Sequence, residues 1–152
     1  MMTSEQIRKI IEEKIAGTEK FIVDVSVGTG NRIVAEIDNP QGIILSDCAE
    51  ISRFIESKLN RDAEDFELTV SSPGLEQPFK ILKQYQKNIG RKVRVIKSGG
   101  IVTEGELTKA NETEIEISQT VIEKLNGKKQ IIIKTIPIAF EQITETKIMY
   151  KI

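Results

Sequence analysis

Seven cations, Lys80, Lys83, Lys87, Arg91, Lys92, Arg94 and Lys97, fall within residues 80–97, a stretch that holds no Asp or Glu. Cations crowded together without local counter-charge attract phosphate oxygens, with an affinity that drops steeply as salt rises. Lys80, Lys83 and Lys87 recur at i, i+3 and i+7, the spacing that puts side chains on one side of a helix. Lys92 and Arg94 would share one face of a strand, leaving Val93 and Val95 on the other. The implied chemistry is contact with nucleic-acid phosphates, RNA above all. The plainer alternative is a solvated face that keeps a small domain soluble. Tyr85 is the one stacking platform in the stretch, so recognition of individual bases is not expected.

Covalent chemistry finds less to work with. Ser71-Ser72-Pro73-Gly74 could present a nucleophilic serine, but the sequence contains no His, and no spacing specifies a lysine base in its place. A corner fits these residues better. Pro73 presets its own φ, Gly74 can take positive φ, and the two hydroxyls can bond nearby amides. Continued into Leu75, the run reads as a stiff elbow between domains, either purely structural or also touching a partner. Cys48, the one cysteine, lies near the start of a predicted helix, where a thiol pKa can fall; a buried small hydrophobe is the commoner case. Gly28-Thr29-Gly30 joins two strands and is followed by no Gly-Lys-Ser/Thr, so it is a hairpin turn and not a phosphate loop. The acidic group Asp62, Glu64, Asp65 and Glu67 lacks the calcium-loop spacing, and zinc needs about four His/Cys-type ligands. No metal and no cofactor are expected, and no enzyme. A small enzyme built on carboxylates or serine stays open as a rival, without the commonest acid–base residue.

The elements that would hold these residues alternate in period. Thr3 to Gln6 has capping-box spacing, and Ile7, Ile10, Ile11 and Ile15 follow at helical intervals, predicting a helix over about 4–16. Phe21, Val23, Val25 and Val27 alternate as a strand, and Ile33, Ala35 and Ile37 as a second. Ser46 would cap a second helix carrying Cys48, Ile51, Ile55 and Leu59 on one face. Phe66, Leu68 and Val70 alternate again. The first half therefore reads α-β-β-α-β. After a short helix near 79–88 come five strand-like runs, near 91–97, 101–109, 114–122, 129–135 and 144–151. Gly99-Gly100, Asn126-Gly127 and Pro137 punctuate them. Five short strands in so small a domain suit a closed barrel, since closure removes exposed edges. The fold class is α+β, with an N-terminal domain over 1–80 and a small five-stranded C-terminal β-barrel over 81–152.

The charges divide with the domains. Residues 1–80 carry 9 Lys/Arg against 15 Asp/Glu, a net of −6, and residues 81–152 carry 13 against 8, a net of +5. Such asymmetry speaks of partners. The acidic half would be repelled by bare RNA and attracted to a basic protein. No run approaches the roughly 18–20 apolar residues of a membrane span, and Met1 to Gln6 shows no secretory pattern. A soluble, cytoplasmic monomer is expected.

Three segments, in this order and at these distances, resemble one family. They are Ile37-Asp38-Asn39-Pro40-Gln41-Gly42-Ile43, Asp47-Cys48-Ala49-Glu50-Ile51-Ser52-Arg53 and Val70-Ser71-Ser72-Pro73-Gly74-Leu75-Glu76. Nearly the whole chain is similar to the ribosome maturation factor RimP family. The resemblance implies a bacterial cytoplasmic assembly factor whose C-terminal barrel is SH3-like or Sm-like. It also implies binding to the free small (30S) ribosomal subunit, through ribosomal RNA and a basic ribosomal protein, with no catalytic activity. Gln77 stands where the family commonly carries an Arg, so any RNA contact by that charge is missing here. A generic RNA-binding or translation-associated module is the alternative.

Overall fold

A computed structural model describes residues 2–74 and 77–149. The chain divides into two compact units, Met1–Gly74 and Leu75–Ile152. The first contains α1 (Ser4–Ile15), β1 (Phe21–Gly28), β2 (Arg32–Asp38), α2 (Leu45–Lys58) and β3 (Glu67–Ser71), the order expected from the pattern. Its sheet runs β1-β2-β3. The β1–β2 pair is an antiparallel hairpin, and β2 pairs with β3 in parallel, with α2 as the crossover.

Thr3 caps α1 by accepting the Gln6 N–H at 3.2 Å, and Ile7, Ile11 and Ile15 are buried. They pack with Ile33, Ala35, Ile37, Ile51 and Ile55 in one core, each large side chain contributing about 1.5–3 kcal/mol by leaving water. Helix α2 starts one residue before the expected cap. Ile44 is the N-cap residue, and its N–H donates to the Asp47 carboxylate at 3.3 Å, so the acid does the work assigned to Ser46. Asn31, with φ of 55°, joins three parts of the unit. Its side chain accepts from the Met2 N–H and donates to the Asp65 carbonyl, while its own carbonyl accepts from Glu67.

The second unit holds α3 (Leu82–Lys87), β4 (Lys92–Lys97), β5 (Val102–Ala110), β6 (Glu114–Leu125), β7 (Lys128–Ala139), a 3-10 turn at Phe140–Gln142 and β8 (Ile143–Ile148). The five strands form one sheet in the order β7-β6-β5-β4-β8. It buries Val93, Val95, Leu107, Ile115, Ile117 and Ile138 around Tyr85. The sequence reading expected a closed barrel; among the described residues the end strands β7 and β8 share no ladder. The 3-10 turn between them is tied instead to the β5–β6 turn, through Phe140 N–H to Thr113 O, and to the end of β4, through Ser98 N–H to Gln142 O. The β6–β7 hairpin is longer than its predicted runs. Pro137 sits inside β7 instead of ending it, which an edge strand tolerates because it has one side with no ladder to serve.

Candidate nucleic-acid interface

The basic stretch is spread over a capped helix, a turn and a strand. Helix α3 begins at Leu82, so Lys80 precedes it and does not continue the Lys83–Lys87 row. The reason is local. The Phe79 N–H is taken by the Thr146 carbonyl at 2.8 Å, and the Gln84 side chain reaches back to the N–H groups of Lys80 and Ile81, at 2.5 and 3.1 Å. That arrangement caps a helix start; it does not extend one. Lys83 and Lys87 remain neighbours at i and i+4, Lys83 exposed and Lys87 half-buried. Asn88 closes α3, its side chain donating to the Gln84 carbonyl at 2.7 Å, and exposed Arg91 follows.

On β4 the alternation holds. Val93 and Val95 are buried, whereas Lys92 and Arg94 are exposed. The neighbouring strand supplies what the local sequence lacked. Lys92 lies opposite Glu106 and Arg94 opposite Glu104 on β5, while Lys147 flanks Arg94 from β8. Opposite charges facing across strands attract, so this face is mixed in sign. Lys97 ends β4, half-buried at a turn where Gly100 N–H donates to its carbonyl. Lys80, Lys83, Lys87 and Arg91 precede β4, on the α3 side. Lys124, Lys128 and Lys129 around the β6–β7 turn form a further basic group. Sequence reasoning passed over it because it registered Asn126-Gly127 only as a turn signal.

Ser71 closes β3 opposite Glu36, and Ser72, Pro73 and Gly74 follow without regular structure. The division between units falls directly after Gly74. Leu75, the last elbow residue, lies outside the described residues. Cys48 is buried, and burial together with the adjacent Asp47 carboxylate pushes its thiol pKa up. It is a core residue with little thiolate character. Of the acidic group, Asp65 pairs with Arg61 at 3.1 Å and Glu67 with Arg32 at 3.3 Å. A hydrogen bond from the Asn31 side chain holds the Glu64 carboxyl below the usual range. Among the described residues no three His, Cys, Asp or Glu side chains converge as a metal would require. No helix there is long and apolar enough to cross a membrane.

Comparison with known proteins bears on the whole chain. Residues 4–76 match the model of the RimP N-terminal domain. Three curated proteins named ribosome maturation factor RimP align over most of both chains. The one from Porphyromonas gingivalis is 35% identical over 130 residues, 86% of each chain. Its counterpart from Flavobacterium psychrophilum is 31% identical over 148 residues, 95% of this chain and 96% of the relative. That from Christiangramia forsetii is 32% identical over 150 residues, 97% of each. Similarity at that level, across both units and through the three segments singled out above, places this chain in the ribosome maturation factor RimP family.

Proposed function

We propose that this protein is a non-enzymatic ribosome biogenesis factor that binds the free small ribosomal subunit and promotes its maturation. The observation that carries the reading is the charge of the two compact units. Residues 1–74 hold 8 Lys/Arg against 14 Asp/Glu, a net of −6, and residues 75–152 hold 14 against 9, a net of +5. Ion pairs within a unit cancel one charge of each sign and leave the net unchanged. Exposed Glu5, Glu12, Glu19, Glu50 and Asp62 carry part of the first unit's surplus. In this reading the acidic unit docks on a basic ribosomal protein. The basic unit, a five-stranded sheet of SH3-like type, lies against ribosomal RNA phosphates through Lys80, Lys83, Lys87 and Arg91. Lys92, Arg94 and Lys97 contribute at the margin. Residues 71–75 are the elbow between two weak contacts that reinforce each other through effective concentration.

The test is sedimentation of the full chain with small subunits at two salt concentrations. The wild-type protein is expected to co-migrate with free small subunits and to be released at higher salt. Reversing Lys83, Lys87 and Arg91 to Glu should weaken association by about tenfold or more and flatten its salt dependence, since each lost phosphate contact lowers the slope by about one. Unchanged association of the triple variant would reject the α3 side as the contact. Co-migration with assembled ribosomes would instead favour the general RNA-binding module.

A further inference from the structure

The β6–β7 hairpin leaves the core of its own unit. Pairing of β6 with β5 ends at Ser118, opposite Glu106, and from there β6 pairs with β7 alone to the Asn126-Gly127 turn. One face of this ribbon carries Ile122 opposite Ile131, with Ile133 beside them, and these three are 68%, 73% and 68% exposed. Contiguous large aliphatic side chains that exposed mark an interaction surface. The same face continues into a groove of about 520 Å³, where Ile133 and Thr120 meet Met149, Lys92 and Glu106. At the far end Lys124 stands directly opposite Lys129, a like-charge pair that is unfavourable unless an anion joins it. Residues 119–134 hold four lysines against one glutamate, a net of +3. Among the described residues, only Lys134 of those four has a carboxylate partner, Glu123 at 3.8 Å. Among the described residues the outer edge of β7 is open as well: β7 ends the sheet, and no backbone hydrogen bond outside its ladder with β6 involves residues 128–137.

We propose that this arm is a second docking surface, taking an extended, acidic protein segment that adds as a strand along β7. The strand's apolar side chains on one face would lie beside Ile131 and Ile133; an acidic residue further along that same face would meet Lys129 and Lys124, and its neighbour on the opposite face would meet Lys128. Strand addition uses the unclaimed edge for affinity and alternate side chains for specificity. Three isoleucines with no aromatic argue against nucleic acid, whose bases are held by stacking. Lysines along the edge oppose a second copy, because two β7 edges would bring like charges together. The surface is separate from the cations of the α3 side and does not depend on their role.

The probe is a fluorescein-labelled peptide, about ten residues long, in which valine alternates with threonine and one end is a run of glutamates, titrated into the full chain and followed by polarisation. Saturable binding is expected, while the matching peptide with lysines in place of the glutamates does not bind. Ile131→Ser with Ile133→Ser should weaken the acidic peptide about tenfold or more, as should Lys124→Gln with Lys129→Gln, a pair that leaves the apolar stripe intact. Both variants should keep the core methyl signals of Val93 and Val95 and still co-sediment with small subunits, which separates this surface from the one proposed above. Equal binding of the two peptides, or full binding by both variants, would overturn the proposal. So would a labelled single-stranded RNA bound through the same isoleucines in place of the acidic peptide, or a dimer abolished by their replacement.

Discussion

Burial of the Tyr85 phenol couples the second unit's stability to alkaline pH. The hydroxyl donates to Thr146 Oγ1 at 2.8 Å, and the ring makes edge contacts with Phe79 and Phe140 at centroid distances of 4.9 and 5.1 Å. Burial raises its pKa above 10.0, more than the Thr146 bond lowers it. Because the folded pKa is raised, the contribution is fully present below pH 10. It declines as pH climbs from there towards the folded pKa, since the unfolded chain sheds its proton first. Tyr85→Phe should cost about 1 kcal/mol at neutral pH through the lost buried hydrogen bond. Its deficit relative to wild type should shrink above pH 10. Urea unfolding followed by the Val93 and Val95 methyl signals at pH 7.5 and pH 10.5 measures both values; a deficit that stays constant with pH would assign the alkaline loss elsewhere. Tyr85 was legible in the sequence only as a possible stacking platform, because its hydroxyl partner lies 61 residues away. Asn31 was hidden for the same reason: its side-chain bonds to Met2 and Asp65 span 29 and 34 residues.

Gly105 lets β5 approach β6 closely beside the last pair of their ladder. A Cβ there would lie 2.5 Å from the Ser118 carbonyl oxygen and 2.7 Å from Ile117 Cγ2, so β5 and β6 approach this closely only because residue 105 has no side chain. Gly105→Ala must shift backbone and should destabilise the second unit by roughly 1–3 kcal/mol, as overpacking does. The first unit, reported by the Ile7 and Ile11 methyls, should unfold at its usual urea concentration. A second unit unchanged by the substitution would show that β5 has slack at this point. Regular elements were the most legible feature of the sequence. Ile7, Ile11 and Ile15 follow a helical period, and Val93 and Val95 a strand period, because in each case one face meets one core. The run Ile131-Ile132-Ile133 misleads for the opposite reason. Its composition is that of a buried strand, but among the described residues no third strand or helix covers it past Ser118, and no local pattern encodes the absence of a neighbour. The glutamates facing Lys92 and Arg94 were invisible too, since they reach β4 through strand register.

For the whole molecule, the opposite charges of the two units matter only if both engage the same particle at once. Net charges of −6 and +5 nearly cancel at a distance, so attraction to a large polyanion must come from one unit approaching closely while the other meets a basic surface. The connection after Gly74 then governs affinity without touching either partner. Inserting about ten Gly/Ser residues directly after Gly74 adds a flexible spacer of that length. It should lower the effective concentration of the second contact about fivefold. Co-sedimentation with small subunits at moderate salt should weaken by that factor, while the urea midpoints of both units stay fixed. Binding that ignores the insertion would mean that a single unit carries the association. The charge-reversed α3 variant then identifies which one: if it no longer binds at low salt, the acidic unit makes no contact of its own, and its surplus charge serves to keep the protein off bare RNA.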